Sequence, residues 1–113
     1  MIALIVEFRL RPGAQASFDR LMRTTIAHVE AKERDTLLYV CHQIVGERGV
    51  RILYELYRSQ NAFAFHESQD YIASFLVKRA QYLRMPPVVT WCRPVLGTKD
   101  LGANKARILP KSS

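Results

Sequence analysis

Residues 36–58, TLLYVCHQIVGERGVRILYELYR, carry the pattern that decides the fold. Two runs rich in branched and aromatic residues, 36–44 and 50–58, flank a short connection that contains Gly46 and Gly49. Such runs are typical of β-strands, and glycine permits the backbone conformations of a tight turn between them. The sequence therefore predicts an antiparallel hairpin in the middle of the chain.

The residues before the hairpin predict a strand followed by a helix. Residues 2–10, IALIVEFRL, are rich in branched side chains and lead into the turn sequence Arg-Pro-Gly. From residue 14 to about 32 the apolar positions recur at helical spacing, in a stripe made of Phe18, Leu21, Met22, Ile26 and Val29. This stripe predicts an amphipathic helix that packs on one face of a sheet.

The residues after the hairpin predict two further helical segments and a last strand. Ser59 has the position of an N-cap for a short helical turn over 60–66, and a longer helix extends to about Leu83. The sequence Met-Pro-Pro follows and ends that helix, because proline lacks a backbone N–H and restricts the residue before it. We expect the last strand over 88–95.

The order of these elements is β-α-β-β-α-β, the ferredoxin-like α+β fold with a four-stranded antiparallel sheet. Helices in this fold cover only one face of the sheet. The first three strands nevertheless carry apolar residues on both faces; in the third, Leu53 and Tyr57 alternate with Ile52, Tyr54 and Leu56. Because a face left in water would be largely polar, we expect the second face to pack against another copy of the chain in a homodimer.

Length and charge exclude several classes of protein. The chain has 113 residues and a formal net charge of +7, and residues 96–113 hold four bases against one acid. We therefore expect one domain over 1–95 and a basic C-terminal tail over 96–113. The sequence contains no nucleic-acid recognition motif and no apolar run near the ~20 residues of a membrane span, so we expect neither partner. Two isolated cysteines and an N-terminus unlike a signal peptide favour a cytoplasmic location.

Three short motifs give the chain a resemblance to a known family. They are Leu-x-Tyr at 37–39, Tyr54-Glu55, and the turn AFAFH at 62–66. In this order and spacing they resemble the antibiotic biosynthesis monooxygenase domain, over roughly residues 2–95. The resemblance implies that two ferredoxin-like subunits pair into a dimeric α+β barrel. Members of this family include cofactor-independent oxygenases of phenols and quinols, haem-degrading enzymes, and an isomerase of a phosphorylated signalling compound.

The resemblance also separates these branches. Haem-degrading relatives use Asn, Trp and His at three positions that correspond here to Phe8, His66 and Leu76, so the resemblance argues against haem. No His, Cys, Asp or Glu cluster has the spacing of metal ligands, and we expect no metal or organic cofactor. The isomerase and many oxygenases place a second His five residues after the first, where this chain has Tyr71.

His66 and Tyr71 are the candidate catalytic residues. Imidazole exchanges protons near neutral pH, so His66 can deprotonate a phenol or an enolisable carbon, and its place in the family motif adds weight. Tyr71 can hold or protonate a substrate oxygen. The structural alternatives are that His66 caps the turn and that Tyr71 packs at the start of a helix.

Candidate substrate-binding residues are mostly aromatic. Tyr54, Tyr57 and Trp91 can line a pocket for a flat substrate, although aromatic residues on strands more often belong to a core or an interface. His28, beside the helical stripe, can project toward the sheet, and Arg79 can pair with an anionic substrate. For Glu55 we expect a role in strand pairing or at the dimer interface.

The leading hypothesis is a cofactor-independent monooxygenase that uses O₂ on a small aromatic or quinol-type substrate, with His66 as general base. One alternative is an isomerase of a small carbonyl or phosphorylated signal compound, which would turn over without oxygen. Another is a non-catalytic dimeric binding module. An open cavity beside His66 would favour an enzyme, whereas a pocket filled by its own side chains would favour the binding module.

Overall fold

The computed structural model describes residues 1–98, in which four strands and three α-helices follow one another in the predicted α+β order. They are β1 Ile2–Arg9, α1 Gln15–Lys32, β2 Thr36–Ile44, β3 Glu47–Tyr57, α2 Gln60–Glu67, α3 Asp70–Lys78 and β4 Val88–Cys92. The strands form one antiparallel sheet in the order β2-β3-β1-β4. The ferredoxin-like fold is therefore confirmed. From residue 99 onward, the tail predicted over 96–113 lies outside the described residues.

The hairpin between β2 and β3 is tighter than the sequence predicts. Ile44 pairs with Glu47, so the connection is the two-residue turn Val45-Gly46. Gly46 has a φ of +89°, in the left-handed region that glycine enters without a steric penalty. As a result β3 begins at Glu47 and not at the predicted Val50.

Two elements end earlier than predicted. The last helix stops at Lys78 and continues as a 3-10 turn, 79–82, because the next residues bind the end of β1: the Arg84 N–H donates to the Arg9 carbonyl at 2.9 Å. β4 ends at Cys92, which pairs with Ala3 near the start of β1, so residues beyond Cys92 have little partner strand left. Proline at position 94 also lacks the N–H that a ladder needs.

The core lies between the sheet and the helices. Phe8 of β1 and Phe18 of α1 are fully buried, with ring centroids 5.1 Å apart. Burying such a side chain stabilises a fold by roughly 1.5–3 kcal/mol. Arg51 of β3 ties α1 to the sheet with two hydrogen bonds of 2.9 Å to the Asp19 carboxylate. Among residues 1–98, no helix is long and apolar enough to cross a membrane.

The other face of the sheet carries none of the described helices. Its side chains are largely apolar, and several of them are exposed: Ile5, Leu38, Val40 and Val88. The predicted assignment of residues to two apolar faces is confirmed by the strand register. We call this surface the open face.

Candidate active site

A cavity of about 270 Å³ opens between the sheet and the helices α2 and α3. Its walls are mainly apolar and include Leu4, Val6, Phe63, Ile72, Phe75 and Trp91. Five charged or titratable groups also line it: Tyr39, Glu55, His66, Glu67 and Arg79. Since an apolar cavity of ~150 Å³ holds benzene, this volume accommodates an aromatic compound of one or two rings.

His66 enters the cavity from α2 and is 2% exposed. Ser59 fixes the start of this helix, because its hydroxyl oxygen accepts a hydrogen bond from the Ala62 N–H at 3.1 Å. The ring nitrogen Nδ1 of His66 lies 2.8 Å from the Glu33 carboxylate, and this contact is fully buried. Among the described residues, Nδ1 is the ring nitrogen that makes the side-chain hydrogen bond, which leaves Nε2 free to face the cavity.

Glu33 follows α1 and accepts three side-chain hydrogen bonds. Besides His66, its donors are the Thr36 hydroxyl at 2.5 Å and the Tyr71 hydroxyl at 2.6 Å. Burial by itself would raise the pKa of Glu33, but these hydrogen bonds together hold the pKa below its ordinary value of 4.5. An ionised carboxylate only accepts hydrogen bonds, so the His66 proton lies on Nδ1.

Glu55 is a second buried carboxyl group on the cavity wall. It lies on β3 opposite Leu4, is 6% exposed, and accepts one hydrogen bond, from the Tyr57 hydroxyl at 2.5 Å. Here burial dominates and raises the pKa of Glu55, although the bond from Tyr57 acts in the opposite direction. Glu55 lies in the strand ladder, opposite Leu4 and Tyr39, as one part of the expectation states. The other part, a place at the dimer interface, is wrong, because the register puts its side chain on the helix-covered face.

Aromatic rings surround His66. The centroids of Tyr39 and Tyr57 lie 5.3 Å and 5.1 Å from the imidazole, and Phe63 is stacked at 6.4 Å. Trp91 extends this wall by an edge contact of 5.1 Å with Phe63. Burial in these surroundings raises the pKa of Tyr39 well above its ordinary value, so its hydroxyl is neutral.

The structure brings His66, Arg79 and Trp91 to the cavity. Tyr57 lies next to them but is fully buried under the His66 ring. Tyr54 is separated from all four, because neighbouring residues of a strand face opposite sides and its ring belongs to the open face. The expectation that Tyr54 lines this pocket is therefore wrong.

Tyr71 and His28 lie behind the cavity, on the far side of His66. Tyr71 contacts Glu33 through its hydroxyl, and its ring stacks on His28 with centroids 4.9 Å apart. The Lys32 ammonium lies 5.5 Å from the Tyr71 ring. Of these three residues only Tyr71 is seen to contact the carboxylate that holds His66, and none of them lines the cavity.

The sequence did not identify Glu33 or Thr36 as site residues. Glu33 stands in the run Lys-Glu-Arg-Asp after a helix, a pattern typical of a solvated turn. Its 33-residue separation from His66 has no motif behind it. Its burial becomes visible only in the fold, where His66 of α2 and Tyr71 of α3 reach this carboxylate.

Comparison with known proteins agrees with this architecture. The family model described as antibiotic biosynthesis monooxygenase matches residues 1–77. No curated protein sequence gives a significant match. In the region of the match lie β1 to α2 and most of α3, including Glu33, Glu55 and His66.

Solved structures share the fold along most of the chain. A Caulobacter crescentus protein, provisionally named an antibiotic biosynthesis monooxygenase, is 26% identical with a TM-score of 0.79, covering 83% of this chain and 89% of its own. Rv0793 from Mycobacterium tuberculosis is 24% identical with a TM-score of 0.79, and the match covers 86% of this chain and 97% of Rv0793. A family match over residues 1–77 of 113 decides the assignment: the chain belongs to the antibiotic biosynthesis monooxygenase family.

Proposed function

We propose that this protein is a cofactor-independent monooxygenase that oxidises a small hydroxylated aromatic, quinol-type substrate with O₂. The observation that carries the proposal is the position of His66. Its Nδ1 is held by a buried carboxylate, and its ring borders an apolar cavity of about 270 Å³. The alternative of a pocket filled by its own side chains is disfavoured by this open volume.

His66 is the general base in this proposal. Because Nδ1 donates to Glu33, Nε2 carries the lone pair that accepts a phenolic proton from the substrate. The positive charge that develops on the imidazole is stabilised by the ionised Glu33 carboxylate 2.8 Å away. Glu33 is thus a positioning residue, and Tyr71 and Thr36 act through it.

Oxygen chemistry follows from the phenolate. The phenolate transfers one electron to O₂, and the substrate radical and superoxide combine to form a C–O bond at a ring carbon bearing hydrogen. The proton held by His66 passes to the peroxide. Loss of that carbon's hydrogen, with cleavage of the O–O bond, releases water and leaves a quinone. One oxygen atom enters the product, the other becomes water, and the substrate supplies all four electrons.

The cavity wall supports this sequence in two ways. Its apolar and aromatic surface excludes water from the radical pair, which would otherwise be quenched. Glu55 holds its proton more readily than an ordinary carboxyl group, because burial raises its pKa. It is therefore placed to donate a hydrogen bond to a substrate oxygen as negative charge develops there.

Oxygen uptake tests the proposal. Purified protein, treated with a chelator, is incubated with a panel of hydroquinones, naphthols and anthrones in an oxygen electrode, with heat-denatured protein as the control for autoxidation. We expect one molecule of O₂ to be consumed for each molecule of product. When the reaction is run under ¹⁸O₂, the quinone should contain one ¹⁸O atom from the gas. His66→Ala should lower kcat/KM by about 10²–10⁴-fold, whereas His28→Ala, outside the cavity, should keep activity within a few-fold.

The same experiment separates the rival functions. Absence of uptake across the panel, or unchanged turnover in His66→Ala, would contradict the oxygenase. Equal turnover of a substrate under nitrogen would identify the isomerase. Saturable binding with no product in either atmosphere would identify a binding module.

We also propose that the open face pairs with that of a second copy. Ile5, Leu38 and Val40 are 37–39% exposed there, in a contiguous patch of the sheet. An apolar sheet face left in water favours association. Sedimentation analysis should give a dimer, and Val40→Lys, which places a charge at the patch, should shift it toward monomer. A monomeric wild-type protein at micromolar concentration would contradict this assembly.

A further inference from the structure

Arg79 lies at the boundary between the cavity and a neighbouring cleft. It belongs to the 3-10 turn after α3, and its guanidinium carbon lies 5.4 Å from the ring centroids of both Phe8 and Phe75. The aromatic faces hold the guanidinium in place by cation–π attraction. One side of this group is therefore fixed by the core, and the other lines the open space.

The charge of Arg79 has no ionic partner within residues 1–98. Three other arginines in this part of the chain have one: Arg9 pairs with Glu7, Arg51 with Asp19, and Arg58 with Asp35. Arg79 makes no ion pair within 4.0 Å of a described carboxylate.

Partial burial lowers the pKa of Arg79, which reflects the free-energy penalty of holding an unpaired charge against apolar surface. The pKa of a guanidinium is so high that the group stays protonated despite this penalty. A bound anion would offset it.

The neighbouring cleft extends the positive surface. It has a volume of about 440 Å³, shares Arg79 and Leu76 with the cavity, and contains two further arginines, Arg11 and Arg84. We call it the arginine cleft. All the charged side chains that line it are arginines. Its backbone is held by the hydrogen bond from the Arg11 N–H to the Tyr82 carbonyl at 2.8 Å.

Two carboxylates partly oppose this positive charge. Glu55 and Glu67 line the cavity and act electrostatically on Arg79, but neither lies within ion-pair distance of it and neither lines the arginine cleft. Burial raises the pKa of Glu55, which opposes its ionisation. The potential therefore becomes more positive from the His66 side of the cavity toward the arginine cleft.

We propose that the substrate is an anionic aromatic compound whose ring occupies the cavity beside His66 and whose carboxylate or phosphate group binds Arg79 at the mouth of the arginine cleft. The planar guanidinium offers paired N–H donors that match such an oxyanion. The net charge of +7 would add long-range steering of an anion toward this mouth. The position of the ring rests on the proposed function, whereas the preference for an anion rests on the arginines alone.

Binding of matched probes tests this inference without turnover. Trp91, the one tryptophan of the chain, lines the cavity, so quenching of its fluorescence reports occupancy. The carboxylate arm compares 4-hydroxybenzoate with its methyl ester at pH 7, and the phosphate arm compares 4-hydroxyphenyl phosphate with hydroquinone. We expect at least one anion to bind about tenfold more tightly than its neutral partner, with the preference falling as salt rises.

Variants assign the preference to Arg79. In Arg79→Gln the affinities for the anion and for its neutral partner should differ by less than about threefold. Arg79→Lys, which keeps the charge but not the planar guanidinium, should retain part of the preference. Arg84→Gln should reduce it by about twofold, because that side chain is exposed to screening. The control Arg23→Gln makes the same charge change on an exposed part of α1 outside both clefts and should leave the preference unchanged.

The proposal would be overturned if each anion bound no more tightly than its neutral partner, or if neither anion showed saturable binding. It would also be overturned if Arg79→Gln and Arg23→Gln behaved identically. Far-UV circular dichroism of Arg79→Gln checks its fold, and the salt dependence of the wild-type protein gives a test that needs no variant. Anion preference without oxygen uptake would contradict the proposed oxygenase and support this inference. Oxygen uptake with uncharged quinols, without any preference for anions, would support the proposed oxygenase and contradict this inference.

Discussion

Two buried carboxyl groups, Glu33 and Glu55, lie near the same histidine, and their pKa values shift in opposite directions. Both residues are little exposed, at 5% and 6%, but the carboxyl group of Glu55 lies deeper inside the protein than that of Glu33. Glu33 accepts three side-chain hydrogen bonds and its pKa is lowered despite burial, whereas Glu55 accepts one and burial raises its pKa. The number of donors and the depth of each carboxyl group inside the protein therefore act together in setting the direction of each pKa shift.

This difference separates their parts in the proposed reaction. A carboxylate that stays charged can orient His66 and stabilise its protonated form. A carboxyl group with a raised pKa can exchange a proton or donate a hydrogen bond within the cavity. Glu33 holds His66 and Glu55 lies on the cavity wall, so the direction of each pKa shift matches the position of the group.

Removing the charge of Glu33 should have the largest effect. Glu33→Gln keeps the shape but loses the anion that holds His66, so we expect kcat/KM for oxygen uptake to fall by about 10²-fold. It also disturbs a buried cluster of donors, and the free energy of unfolding at pH 7 should fall by about 1–3 kcal/mol. Steady-state kinetics and urea unfolding measure the two effects. An activity loss of less than twofold would remove Glu33 from the mechanism.

Glu55→Gln should lower activity by a smaller factor, about tenfold, because it replaces one hydrogen-bonding group on the cavity wall with another. Its effect on stability should have the opposite sign. The amide side chain would avoid the penalty of ionising a buried carboxyl group and would still accept the Tyr57 hydroxyl, so the variant should unfold at a higher urea concentration at pH 8. Lower stability at pH 8 would show that Glu55 is ionised there without penalty.

The pH dependence of stability should separate the two groups further. The folded-state pKa of Glu33 lies below 4.5, so its stabilisation is present above pH 4.5 and is lost as the pH falls through the folded-state pKa. The folded-state pKa of Glu55 lies above 4.5, so its contribution is present below pH 4.5 and is lost as the pH rises through the folded-state pKa. Thermal melts of wild type against each Gln variant, from pH 3 to 8, should therefore give difference curves of opposite slope. Parallel slopes would contradict the assignment.

The sequence predicts the fold much better than it predicts these two groups. Strand and helix periods are local, so the hairpin over 36–58 and the two faces of β3 follow from residue order. His66 is also accessible from sequence, because it stands in a recognisable turn. Glu33 cannot be recognised in this way, since its burial depends on how His66 of α2 and Tyr71 of α3 come to it in the fold. Glu55 is recognisable as a strand residue, but whether its face meets the helices depends on the register and on how the sheet is covered.

Tyr71→Phe should give the smallest effect that still tests the comparison, because it removes one of the three donors to Glu33 and leaves His66 and Thr36 in place. The pKa of Glu33 should rise, and activity should fall by about threefold at neutral pH, where the group remains ionised. The matched change is Tyr57→Phe, which removes the single donor of Glu55 and should raise the pKa of that group further. Carboxyl ¹³C shifts followed by NMR titration report both. If Tyr71→Phe left the pKa of Glu33 unchanged, the hydrogen bonds would not contribute to the difference between the two groups.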